Sequence, residues 1–84
     1  NDEEAISLMN DSEYGLTASI WSSNFDEAKK LSAQIETGTV FLNRCDYLDP
    51  GLAWTGVKNT GRVVSLSEYV YDSVTRLKSI HFRL

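Results

Sequence analysis

The sequence predicts an α/β fold: a βαβ unit of a parallel sheet, then a long loop, a short helix and a terminal strand. Three observations predict it. Leu16 to Trp21 alternates between an apolar and a polar face, residues 25–37 carry a helical stripe, and Thr39-Val40-Phe41-Leu42 is a continuous β-rich apolar run. The alternation reads as a half-buried strand and the unbroken run as a strand covered on both faces. Strand, helix and strand within residues 16–43 imply a parallel pair with a right-handed crossover.

Each element has its own local reason. Ala5, Ile6, Leu8 and Met9 recur at spacings of three and four behind Asp2, Glu3 and Glu4, whose charges suit the positive end of a helix dipole, so residues 3–10 predict a short helix. Asn10-Asp11-Ser12 then predicts a turn, with the first strand after it. Asn24 followed by Glu27 forms a capping box and starts the second helix at Phe25. Ala28, Leu31 and Ile35 make its buried stripe, and Gly38 is expected to supply the left-handed residue that stops it near Thr37. From Asn43 to Val64 periodicity disappears among Asp49-Pro50-Gly51, Gly56 and Gly61, which predicts an ordered, site-lining loop. Ser65-Leu66-Ser67-Glu68 is a second capping box, expected to open a helix with Leu66, Tyr69, Val70 and Val74 at helical spacing. Thr75 to Leu84 alternates again and predicts the terminal strand.

The chain has 84 residues and a mass of 9.4 kDa, enough for one small domain or a piece of a larger one. Eight basic against twelve acidic residues give a net charge of −4, which argues against a phosphate-binding basic face and hence against nucleic acid. No apolar run reaches the ~18–20 residues of a membrane span. Cys45 is the only cysteine, so no intramolecular disulfide framework exists, and a reducing, cytoplasmic setting is expected. The first residue is Asn1 rather than Met, in what reads as the first turn of a helix, and further chain is expected upstream.

Several residues are candidates for chemistry. Cys45 follows a buried strand where a nucleophile could sit, but only Arg44 favours its thiolate and Asp46 opposes it, so a half-buried structural cysteine is preferred. His81 lies in the terminal strand and reads as a surface or interface histidine. Asp46 and Asp49 are too few oxygens for a hard cation, and Asp49-Pro50-Gly51 is ordinary turn chemistry. Gly56 to Arg62 lacks both the spacing and the preceding strand of a phosphate-binding loop. Trp54 has two readings that spacing cannot separate: a core plug, or one wall of an apolar ligand pocket.

The residues already quoted also resemble a known family. Asn10-Asp11-Ser12-Glu13-Tyr14-Gly15-Leu16-Thr17-Ala18, then Glu36-Thr37-Gly38-Thr39-Val40-Phe41-Leu42-Asn43, then Trp54-Thr55-Gly56-Val57-Lys58-Asn59-Thr60-Gly61-Arg62 are similar, in order and separation, to three motifs near the C-terminus of the aldehyde dehydrogenase superfamily. The resemblance covers nearly the whole chain. It implies a fragment of that family's catalytic domain over residues 1–74, with residues 75–84 as the closing strand of the oligomerisation element. It further implies NAD- or NADP-dependent oxidation of an aldehyde to an acid by a cysteine thiolate and a glutamate base. The family's Gly-Gln-x-Cys and Glu-Leu-Gly-Gly-like strings are absent here, so Cys45 is not the family nucleophile, and these 84 residues alone are expected to bind no cofactor and to be inactive.

By position, Asp46, Leu48 and Trp54 match places that line the family's aldehyde entrance tunnel, where they would select substrate. Asn43 matches a near-constant asparagine for which a structural turn role and a catalytic one remain open. The resemblance also implies a homo-oligomer through the terminal strand. Three departures stand out: Ala53 for the usual Pro, Thr55-Gly56 for Gly-Gly, and Val63-Val64 where Gly often follows Arg, which is expected to alter the turn into the last helix. The other reading of the chain is a free-standing α/β protein-interaction module without catalysis.

Overall fold

A computed structural model of the chain describes residues 1–45 and 47–83. Helix α1 spans Asp2–Asn10, and Asn1 caps it by accepting the Glu4 N–H on its Oδ1 at 2.8 Å. Strand β1 (Tyr14–Gly15) and strand β2 (Thr17–Ile20) follow almost without interruption. Helix α2 spans Phe25–Ser32, and Asn24 Oδ1 accepts the Glu27 N–H at 3.1 Å, one of the two bonds expected of the first capping box, while the Asn24 N–H donates to Ser22 Oγ at 3.0 Å instead of to the Glu27 carboxylate. Strand β3 (Thr39–Leu42) lies parallel to β2 in the register Thr17↔Thr39 to Ile20↔Leu42. The βαβ unit is therefore present as the sequence predicts.

Several expectations give way. Helix α2 stops at Ser32, several residues early, because Asn10 captures the chain beyond it: Asn10 Nδ2 donates to the Gln34 carbonyl at 2.7 Å and Asn10 Oδ1 accepts the Glu36 N–H at 2.9 Å. Gly38 is not left-handed; among the described glycines only Gly61 has a positive φ, of 113°. A Cβ on Gly38 would lie 1.5 Å from the Thr55 carbonyl oxygen, so this glycine permits a close approach of backbones rather than a helix stop.

The loop after β3 contains strand β4 (Val57–Lys58), antiparallel to β1 with Tyr14↔Lys58 and Gly15↔Val57. Ser65 pairs across the loop with Trp54, which removes it as a cap, and helix α3 begins only at Val70 and ends at Val74. Val63 and Val64 take no left-handed conformation; Leu66 and Ser67, at φ 61° and 54°, make the turn into the last helix.

Residues 75–83 form no strand among the described residues, although Leu77, Ile80 and Phe82 keep their exposed apolar side chains. A strand exists only beside a neighbour, and this chain supplies none there. Leu84 lies outside the described residues.

The packing is that of an open body. Only Ala28, Ile35 and Phe41 are buried apolar residues among those described, while Trp21, Phe25, Tyr71 and Phe82 are each more than two-thirds or nearly two-thirds exposed. An apolar groove of about 170 Å³ runs over Ile20, Phe25, Ala28 and Phe41, along the side where α2 meets the sheet. The accessible surface is 7195 Å², against roughly 5000 Å² for a folded monomer of this mass. The radius of gyration is 17.3 Å, against about 12 Å for a compact domain of this length. The apolar stripes of these elements are written to pack against more than this chain contains.

Candidate functional site

The site-bearing loop leaves β3 at Asn43. This residue sits at φ 55°, a conformation Asn tolerates better than most side chains. Its Oδ1 accepts the Ser22 N–H and its Nδ2 donates to the Ser22 carbonyl, both at 2.9 Å. The asparagine thus ties the ends of β2 and β3 together with both faces of its amide, which supports the structural role over the catalytic one.

Beyond it, the Arg44 guanidinium lies 3.9 Å from the centroid of the Tyr47 ring, a cation–π contact. The Asp49 carboxylate accepts the Gly51 N–H at 2.9 Å, and its carbonyl accepts the Leu52 N–H at 3.0 Å, the turn that Asp-Pro-Gly predicts. Ser67 N–H donates to the Pro50 carbonyl at 2.9 Å, so the left-handed pair Leu66-Ser67 closes against that turn. Trp54 and Ser65 exchange backbone hydrogen bonds at 2.7 and 2.9 Å. Tyr47, Leu52, Trp54 and Leu66 converge with Phe41 around a small cleft of about 30 Å³.

Trp54 is half-buried there, so it is neither sealed in a core nor free in solvent. Leu48 is 58% exposed and does not line this cleft, and Asp46 lies outside the described residues. Of the two sequence-predicted wall residues among the described ones, the structure brings Trp54 to a cleft and leaves Leu48 off it. Two consecutive bulky or hydroxylated residues at positive φ cost on the order of 1–2 kcal/mol each. Leu66, one of that pair, lines the same cleft.

The remaining candidates separate. Cys45 is exposed and free, and no hydrogen bond joins it to the exposed His81 among the described residues. No group of three metal-ligating side chains gathers among the described residues. In the Gly56–Arg62 stretch the Lys58 ammonium is already engaged: its Nζ donates to the carbonyls of Asn10 (2.6 Å) and Ser12 (2.9 Å) and lies 2.8 Å from the Glu36 carboxylate. Thr60 Oγ1 accepts the Gly15 N–H at 2.8 Å and fixes the turn that follows.

Sequence reasoning missed this clasp of Asn10, Lys58 and Thr60. The only signal was that all three fall inside the quoted motifs, since contacts 45 to 48 residues apart leave no periodicity to read.

Comparison with known proteins gives the chain its context. Residues 1–80 match the model of the aldehyde dehydrogenase family. Retinaldehyde dehydrogenase 3 of Homo sapiens is 35% identical over 82 residues, 98% of this chain and 16% of that protein. A probable betaine aldehyde dehydrogenase of Schizosaccharomyces pombe is 41% identical over 78 residues, 93% of this chain and 16% of that protein. The crystal structure of succinic semialdehyde dehydrogenase from Streptococcus pyogenes with NADP+ superposes with a TM-score of 0.84 at 44% identity, covering 87% of this chain and 16% of that one. The NAD+ complex of an aldehyde dehydrogenase from Bacillus cereus superposes with a TM-score of 0.88 at 30% identity, covering 95% and 16%. The chain thus spans about a sixth of the length of these relatives, and with an open α/β body that follows theirs it belongs to the aldehyde dehydrogenase family.

Proposed function

We propose that these residues are the C-terminal portion of an NAD(P)-dependent aldehyde dehydrogenase that oxidises an aldehyde to a carboxylic acid. Trp54, with Leu48 and Asp46, contributes the wall of the substrate tunnel, and residues 75–84 pair with a neighbouring subunit of a homo-oligomer. The thiolate that attacks the aldehyde carbon, the base that activates water and the dinucleotide site belong to other parts of the polypeptide. Lys58 is committed to Asn10, Ser12 and Glu36, so this lysine is not assigned to a dinucleotide phosphate. With Cys45 as its single cysteine the chain suits a reducing compartment, and we place the enzyme in the cytoplasm. No helix among the described residues is long and apolar enough to cross a membrane.

The observation that carries this reading is the position of Trp54: half-buried, beside Tyr47, Leu52 and Leu66, on a body whose accessible surface exceeds that of a compact monomer of this mass. An indole presented in that way discriminates substrates by shape, with about 1–3 kcal/mol between similar aldehydes. The test is Trp54→Ala in the full-length enzyme. The ratio of kcat/KM for a bulky and a short aldehyde should change about 5- to 150-fold while the KM for the dinucleotide stays constant. An unchanged ratio would refute the tunnel assignment. Aldehyde-dependent NADH formation by residues 1–84 alone would refute the division of labour, whereas a monodisperse, cooperatively melting monomer would favour the free-standing interaction module.

A further inference from the structure

Lys58 is left-handed, at φ 55°, a conformation that a lysine adopts rarely and that must be held by its surroundings. Its ammonium has three donors, and three acceptors meet it: the Asn10 carbonyl, the Ser12 carbonyl and the Glu36 carboxylate. The first two lie at the C-terminal end of α1, which has no basic residue in its own last turn, so Lys58 supplies the cation that the carbonyl end of that helix favours. Glu36 belongs to the connection before β3, whose course Asn10 sets through the Gln34 carbonyl and the Glu36 N–H. One side chain therefore gathers three separate stretches of chain.

Those stretches surround the segment that carries Trp54. The Thr55 carbonyl rests against Gly38, two residues after Glu36, so tightly that no Cβ could be accommodated. Gly15, opposite Val57, is hemmed in by the Glu36 carbonyl, where a Cβ would come within 2.3 Å. The loop from 54 to 65 is closed at its base by the Trp54–Ser65 pair and hooked over β1 at its far end by Lys58 and Thr60. Trp54 is thus paired to Ser65 at one end of this loop, and the Lys58 hook lies four residues further along it.

We infer that Lys58 is a positioning residue for substrate selection, which sets the depth of the Trp54 indole by clasping β4 onto Asn10, Ser12 and Glu36. This rests on Trp54 being a tunnel wall, and it makes Lys58 a determinant of aldehyde shape without contact to the aldehyde. Methionine at 58 keeps most of the length and apolar stem but donates to none of the three acceptors. Arginine retains the charge.

The experiment uses the full-length enzyme with Lys58→Met, Lys58→Arg and Trp54→Ala, each checked for native assembly and melting temperature. Lys58→Met should shift the bulky-to-short kcat/KM ratio in the same direction as Trp54→Ala, by about 3- to 30-fold, through the aldehyde KM with the dinucleotide KM unchanged. Lys58→Arg should restore at least half of that shift on a logarithmic scale. The 19F resonance of 5-fluorotryptophan at position 54, assigned with Trp54→Phe, should move in Lys58→Met and return towards its original place in Lys58→Arg. A Lys58→Met enzyme that is folded but keeps both the wild-type ratio and the wild-type resonance overturns the inference. So does a shift in the ratio that Lys58→Arg leaves untouched. If Lys58→Met should not assemble, Glu36→Gln, which retains both carbonyl acceptors, must move the resonance in the same direction, and an unmoved resonance overturns the inference. Failure of the tunnel reading itself is recognised separately, by a Trp54→Ala enzyme whose ratio does not change.

Discussion

Replacement of Gly38 by alanine probes the tightest approach at any glycine among the described residues. The added Cβ would stand 1.5 Å from the Thr55 carbonyl oxygen, 2.5 Å from its carbon and 3.2 Å from the Gly56 Cα. Ordinary van der Waals separation requires a retreat of about 2 Å. The Thr55 segment cannot retreat freely, because Trp54 and Ser65 exchange backbone hydrogen bonds at 2.7 and 2.9 Å immediately beside it. Overpacking costs about 1–3 kcal/mol, and weakening two backbone bonds adds about 1 kcal/mol each, so a total of about 3–5 kcal/mol is expected. Hydrogen exchange followed by mass spectrometry in the full-length enzyme reads this locally, where a single global unfolding energy is ill-defined. Protection of peptides covering residues 54–65 should fall by at least about 100-fold in Gly38→Ala. Had Gly38 been a left-handed helix stop, alanine would cost only about 1–2 kcal/mol and would loosen the end of α2 instead. Unchanged protection over 54–65, with the loss confined to residues 33–38, would therefore refute the close-approach argument.

Further expectations follow from the same contacts. Asn43→Ala loses both hydrogen bonds to Ser22 and places a Cβ-bearing residue without local support at φ 55°, for about 3 kcal/mol, whereas Asn43→Gly keeps the backbone conformation and should cost less; thermal melting of the two variants in the reverse order would contradict this. Asn24→Ala removes the side-chain acceptor of the Glu27 N–H and should cost about 1 kcal/mol, visible as faster exchange confined to the first turn of α2. The isolated 84-residue chain, with 7195 Å² of accessible surface, should bind a hydrophobic dye and lack a cooperative thermal transition, and a sharp melt from a monomer would count against the open body described above.

What the sequence reveals here is what is local. The Asn24 cap, the stripe of α2 and the apolar run at Thr39–Leu42 are each set by neighbours within a few residues, and together they suffice for the parallel βαβ unit. Elements decided by distant partners are illegible. Strands β1 and β4 are two residues each, too short for alternation to register, and they pair with each other across more than forty residues of chain, where Lys58 also reaches Asn10 and Ser12. The second capping box fails because Ser65 is already paired to Trp54, a tertiary contact that overrides a sound local signal. Residues 75–83 alternate as a strand should, yet form none among the described residues for want of a neighbour. Of the candidate site, Trp54 is found on a cleft, while the lysine clasp behind it could not be inferred from composition, spacing or periodicity.

The pairing registers also imply an order of assembly. Partners in β2 and β3 are separated by 22 residues, as in Thr17↔Thr39, whereas Tyr14 and Lys58 are 44 apart. Doubling the loop adds only about 0.6 kcal/mol of closure entropy, but the shorter crossover carries four paired positions and the longer one two. The crossover unit should therefore collapse early, and because Gly15 is only two residues ahead of Thr17, its formation delivers β1 to the place where β4 later docks. The loop that carries Trp54 then becomes a late-folding appendage on an early nucleus, so sequence changes around the indole should act after the rate-limiting step and leave folding speed largely untouched.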